Sequence, residues 1–141
     1  MTTIEYLDQL IELTSEKQKE YFQLLRSRGT LFTKCVTLWE KTPFPVNAKE
    51  CYKNSILMAY AANIAYYEGY YVTELGFPLE HAFNYDGTTG YCTDVTSSKM
   101  GFKVTEWFGM EVPKQVLEEY LKTDQIQTAL QFYMTEYLLE K

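Results

Sequence analysis

Histidine occurs once in this 141-residue chain, at His81, and cysteine three times, at Cys35, Cys51 and Cys92. Three widely spaced cysteines are too few for a disulfide framework, and the odd number leaves at least one thiol free. A four-ligand zinc site would need all three thiols plus His81, at spacings unlike any common zinc module, so no metal is expected. Basic residues are also scarce. Thirteen Lys and Arg against nineteen Asp and Glu give a formal charge of −6 and a pI near 4.8. That balance repels a long phosphate backbone and argues against nucleic-acid partners. No apolar run approaches the ~20 residues of a membrane-spanning helix, and Met1-Thr2-Thr3-Ile4-Glu5 lacks the basic start and apolar stretch of a secretory leader. The expectation is a cytoplasmic protein without membrane contact. What is plentiful is core material: 46% hydrophobic and 16% aromatic, with thirteen tyrosines. That suffices for one core in a single domain spanning 1–141, with most tyrosines half-buried as packing residues.

Apolar residues from Ile4 to Leu25 recur at spacings of three and four, which predicts an amphipathic N-terminal helix ending near Gly29. Phe32 to Trp39 reads as a second, shorter helix, completing a helical N-terminal part over 1–42. Pro43-Phe44-Pro45 forbids regular structure. Asn47 followed by Glu50 has the pattern of a capping box, so a buried central helix is expected from there to a stop at Gly69, with Cys51 in its first turn. Tyr70 to Leu75 and Glu80 to Asp86 read as strands. A turn at Gly87-Thr88 returns the chain into an antiparallel partner over Thr89 to Thr96. Phe102 to Val112 adds a strand. Pro113 then opens a helix to Lys122, and Asp124 with Gln127 caps a last one, giving C-terminal helices over 113–140. The fold class is α+β: a central helix on a small antiparallel sheet, flanked by N- and C-terminal helices.

The turn sets the hairpin register. If Asp86 faces Thr89, then Cys92 faces Phe83 and His81 sits directly across from Asp94, with Cβ atoms ~4.5–5.5 Å apart. The only histidine thus acquires a carboxylate partner. Thiol acyl chemistry needs a thiolate, an imidazole to exchange protons with the leaving group, and a group that orients the imidazole. Cys51 at a helix start would have its thiolate favoured by unpaired backbone N–H groups, which would also stabilise an oxyanion. Cys35 and Cys92 read as packing residues. The Tyr66-Tyr67 and Tyr70-Tyr71 pairs suit either a substrate groove or, with better support, packing where helix meets sheet. Gly87 and Gly90 belong to a turn and form no phosphate loop, so no nucleotide or other cofactor is expected.

The run from Glu50-Cys51 through Tyr67-Glu68-Gly69-Tyr70, Pro78-Leu79-Glu80-His81-Ala82-Phe83 and Asp86-Gly87 to Thr93-Asp94-Val95-Thr96 resembles the core of transglutaminase-like proteins in the papain-like cysteine protease superfamily. It is most similar to small bacterial and phage-type members, with Trp107-Phe108-Gly109 a weaker echo downstream. The resemblance covers about a third of the chain, a Cys-His-Asp core over 47–97. It implies a nucleophile at Cys51, a general acid/base at His81 and an orienting carboxylate at Asp94. It also implies cleavage or transfer at an amide, peptide or isopeptide bond, on a protein or peptide substrate or a small amide. Phe83 stands where the family more often has Trp, and no upstream oxyanion side chain is identifiable, since Asn47 is read as an N-cap. Some members have lost catalysis, so a phage-encoded interaction protein that occupies a host partner is the alternative.

Overall fold

In a computed structural model that describes residues 1–36, 44–47, 50–101 and 103–139, the sheet has the strand order β1-β6-β3-β4-β5-β2. The strands are β1 (Thr30–Phe32), β2 (Cys35–Val36), β3 (Ala65–Thr73), β4 (Pro78–Asp86), β5 (Tyr91–Thr93) and β6 (Val104–Val112). Five pair antiparallel, and β2 adds to β5 in parallel. The helices are α1 (Thr3–Leu13), α2 (Glu16–Arg28), α3 (Cys51–Ala61), α4 (Val95–Met100), α5 (Lys114–Leu121) and α6 (Ala129–Tyr133), the last continued by a π-helical turn over Met134–Leu138. The class is α+β.

Alternation along the central strand β3 divides the core. Tyr66 and Tyr70 point into a layer where α1, α2, α5 and α6 contribute Leu7, Leu25, Leu117 and Leu130, all wholly buried. Tyr67 and Tyr71 point the other way, into a smaller aromatic cluster with Phe83, Cys92 and Trp107. Gly69 lies between them in β3, opposite Gly109 of β6 and His81 of β4. A Cβ on Gly69 would overlap the Phe108 carbonyl oxygen and stand 2.6 Å from the Gly109 Cα. Backbone on both sides leaves nothing that can yield. Gly69→Ala is therefore expected to cost about 3 kcal/mol, the upper end of ordinary overpacking, read as a lower urea midpoint at unchanged slope.

Several sequence expectations are corrected here. The N-terminal helix is two helices. Thr14 is extended, and Ser15 starts α2, so that Leu7 and Leu25 both reach the sheet. One straight helix from Thr3 to Arg28 would run about 39 Å and could not fold back. The supposed helix from Phe32 contains instead the end of β1 and all of β2, because Phe32 pairs with Trp107 and Cys35 with Cys92. Its last residues, to Trp39, and Pro43 lie outside the described residues. Phe44 and Pro45 are in irregular chain.

The central helix begins at Cys51, with Glu50 rather than Asn47 as N-cap, and ends at Ala61 rather than Gly69. Asn47 instead uses its backbone, donating N–H to Asn54 Oδ1 at 3.3 Å and accepting from Asn54 Nδ2 at 2.8 Å. The next strand accordingly starts at Ala65. The last helix is capped by Thr128 and Gln131, four residues after the expected Asp124 and Gln127.

Candidate active site

The hairpin register differs from expectation and the contact it was meant to explain survives. β4 and β5 pair Asn84 with Thr93, Tyr85 with Cys92 and Asp86 with Tyr91, and a four-residue loop, Gly87 to Gly90, joins them. Cys92 therefore faces Tyr85, not Phe83, and His81 has no β5 partner. The ladder stops at Thr93 because Asp94 is the N-cap of α4, its Oδ1 accepting the Ser97 N–H at 3.0 Å. Thr96, expected in the strand, lies in that helix. Capping turns the Asp94 carboxylate inward, where Oδ2 accepts three bonds of 2.7 Å each, from His81 Nε2, Ser97 Oγ and Trp107 Nε1. Asp94 and His81 are 2% and 3% exposed. Tyr71 stacks on the imidazole, ring centroids 3.9 Å apart and planes 12° from parallel.

With β5 so short, the rest of the β4 edge is left to α3, which packs on it. Two buried polar bonds fix that docking. Asn84 Nδ2 donates to the Ser55 carbonyl at 2.9 Å, and Asn54 Nδ2 donates to Thr96 Oγ1 at 2.9 Å. The first ties α3 to the strand of His81, the second to the helix that Asp94 caps. Cys51, the first helical residue, is half-buried, and its thiol is one of the groups that raise the pKa of the imidazole. Since Nε2 is committed to Asp94, Nδ1 is the ring nitrogen left for a further partner. The N–H groups of Cys51, Tyr52 and Lys53 begin the helix and have no intrahelical acceptor, which makes this end electropositive.

Charge follows the same geometry. Burial alone pulls the His81 pKa down, but the Asp94 charge and hydrogen bond, and then Cys51, push it up to about 9. For Asp94 burial works upward, and the His81 charge and the bonds from His81, Trp107 and Ser97 outweigh it, holding the carboxyl below its ordinary range. Asp94 contributes stability above its unfolded value near 3.8 and loses it as pH falls through the lowered folded value. His81 contributes fully below 6.5 and loses its contribution as pH rises through about 9. Urea unfolding across pH is expected to show both limbs, and His81→Gln to flatten the alkaline one. An unchanged alkaline limb in that variant would contradict the assignment.

The three expected site residues thus come together from α3, β4 and the start of α4. Trp107 and Tyr71, which hold the carboxylate and cover the imidazole, were noted in the sequence only as a downstream echo of the resemblance and as part of a tyrosine pair, without these roles. They are register partners in β3 and β6, a pairing that no local signal announces. Cys35 and Cys92 face each other across β2 and β5, and the Cys92 thiol donates to the Lys34 carbonyl at 3.2 Å, away from the imidazole. A cleft of about 600 Å³ opens beside Asp94 and Trp107, lined also by Lys34, Cys35 and Ser98 but by neither Cys51 nor His81. Among the described residues no group of three or more His, Cys, Asp and Glu is arranged to hold a metal ion, and no helix is long and apolar enough to cross a membrane. Compared with protein-family models, curated proteins and solved structures, the chain matches none.

Proposed function

We propose that this chain is a thiol-dependent acyl enzyme with a papain-like, transglutaminase-like core, acting on an amide, peptide or isopeptide bond of a protein or peptide substrate. The observation that carries the reading is the buried imidazole bonded to Asp94 at 2.7 Å, with Cys51 among the groups that raise its pKa. In the proposed reaction Cys51 Sγ, as thiolate, attacks the carbonyl carbon and forms the C–S bond. The C–N bond breaks as His81 gives its Nδ1 proton to the departing amine, leaving an acyl-thioester. Water or a second amine then attacks the thioester, His81 takes up its proton, and the thiolate leaves. Asp94 holds the ring's orientation throughout, and the first N–H groups of α3 are the donors available to the oxyanion.

A thiol-reactive acyl probe followed by peptide mapping tests this. An adduct on Cys51 is expected, with adduct and amide turnover both lost in Cys51→Ala. Turnover that persists in Cys51→Ala overturns the reading.

A second reading, a non-catalytic interaction protein on the same fold, has one observation in its favour. Leu75, Phe77 and Leu79, 74%, 69% and 52% exposed, crowd the β3–β4 hairpin that leads to His81. Partner binding that survives Cys51→Ala, without any turnover in wild type, would favour it.

A further inference from the structure

We propose that Cys35 and Cys92 are a modification site, an oxidisable thiol pair that a hydroperoxide converts into a reversible disulfide fastening β2 to β5. The two are directly paired residues of the parallel β2–β5 ladder. Neighbouring strands lie about 4.8 Å apart, and paired residues send their side chains to the same face. A disulfide spans Cα separations of ~4.4–6.8 Å, so this pair is within its range.

The side chains agree with the register. Both cysteines pack in the aromatic cluster of Tyr67, Phe83 and Trp107, on one face of the sheet. Cys92 also reaches the β2 chain itself. Its N–H and its thiol both donate to the carbonyl of Lys34, the residue before Cys35, each at 3.2 Å. Access is unequal. Cys92 is wholly buried, whereas Cys35 is half-buried and lines the cleft of about 600 Å³, which Cys92 does not. Cys35 first, and burial second, raise the Cys92 pKa, so Cys92 stays a thiol while Cys35 meets the oxidant that enters the cleft.

Those roles set the order of events. The Cys35 sulfur attacks one peroxide oxygen, the O–O bond breaks, and Cys35 becomes a sulfenic acid while the other oxygen leaves as an alcohol or water. The Cys92 sulfur then attacks the Cys35 sulfur. The S–S bond forms, the S–O bond breaks, and the hydroxyl departs with the Cys92 proton as water. Two thiols are oxidised and one hydroperoxide is reduced. A thiol reductant reverses the bond by exchange through a mixed disulfide. Thr93 and Asp94 follow Cys92 directly, so the cross-link braces the strand end from which the carboxylate is delivered. Cys51 takes no part, and the cross-link does not rest on the acyl-enzyme reading.

The experiment treats the full chain in its Cys51→Ala form with hydrogen peroxide, blocks the remaining thiols with N-ethylmaleimide in urea, and maps peptides without reduction. The expected product is a monomer lighter by two hydrogens, with both thiols lost to the maleimide and a peptide linking Cys35 to Cys92. It should keep the native circular dichroism spectrum and unfold at a higher urea midpoint than the reduced chain, because the bond constrains the unfolded state. Dithiothreitol should return both thiols. Cys92→Ser is expected to stop at a Cys35 sulfenic acid that dimedone captures. Cys35→Ser, at the more exposed position, is expected to leave Cys92 reduced, and it decides the matter together with the parent chain should Cys92→Ser fail to fold. A link found only between two chains, a link formed only after urea has unfolded the chain, or Cys92 oxidised as fast in Cys35→Ser as in the parent overturns the proposal. So does further oxidation of Cys35 with the Cys92 thiol still open to the maleimide.

Discussion

Asp94→Ala is expected to lower the unfolding free energy by about 3–5 kcal/mol at pH 7, the cost of removing one partner from a buried ion pair. The size follows from what Asp94 satisfies. One carboxylate caps α4 through the Ser97 N–H and also accepts from Ser97 Oγ, Trp107 Nε1 and His81 Nε2. All of these donors lie in buried residues, and one belongs to an imidazole that is cationic at neutral pH. Alanine leaves that charge without its counter-ion and strands an indole N–H. The lost cap, worth about 1 kcal/mol by itself, does not add fully, because the bonds form one network. Glu74, exposed in the β3–β4 hairpin, supplies the comparison. Glu74→Ala should stay within about 0.5 kcal/mol. Urea denaturation reads both, and a loss below about 1 kcal/mol for Asp94→Ala would contradict the network.

His81→Ala is expected to slow iodoacetamide labelling of Cys51 at pH 7 by ~10-fold or more, with Cys35 and Cys92 unaffected. Iodoacetamide reacts with the thiolate form of a cysteine, and His81, cationic at neutral pH, is a group whose charge is coupled to Cys51. Two unit charges ~4 Å apart near a protein surface attract by about 4 kcal/mol before desolvation, and tenfold needs only 1.4 of it. The histidine-dependent part of the rate should vanish as pH rises through about 9, where His81 loses its proton. Circular dichroism of His81→Ala and of the bulkier His81→Gln separates lost chemistry from lost fold. Peptide mapping assigns the rate to each cysteine, and equal labelling in wild type and both folded variants would remove the basis for a cooperating pair.

How far the sequence could be read depended on how local each feature is. The start of α3 near Cys51 was legible, since the prolines bar a helix just upstream. Its end was not. Ala65-Tyr66-Tyr67 continues an apolar pattern that fits helix and strand alike, and pairing with β4 and β6 decided for strand. Gly69 looked like a helix stop and is where two backbones approach too closely for any Cβ. The Thr128–Gln131 cap has the same spacing as Asp124–Gln127, and what favours Thr128 is Glu68, a strand residue sixty positions away whose carboxylate takes the Leu130 N–H.

The pairing of His81 with Asp94 was right for a reason that was not. A tight turn would have set them face to face, whereas the chain uses a longer loop, ends β5 early and delivers the carboxylate from a helix cap. Turn residues constrain a hairpin without choosing its loop length. The roles of Trp107 and Tyr71 lay beyond reach because the β3–β6 register spans thirty residues and is set by the packed sheet.

His81 is the only histidine in the chain, so its ring resonances are a direct probe of the site. An NMR titration of that ring in the wild type and in Cys51→Ala is the most direct measurement of whether thiol, imidazole and carboxylate act together. The expected result is a midpoint near 9 in the wild type that falls when Cys51 is removed, because the thiol is one of the groups holding the proton. A midpoint near 6.5 that ignores the loss of Cys51 would mean that the sulfur and the ring are strangers, and the proposed chemistry would go with them.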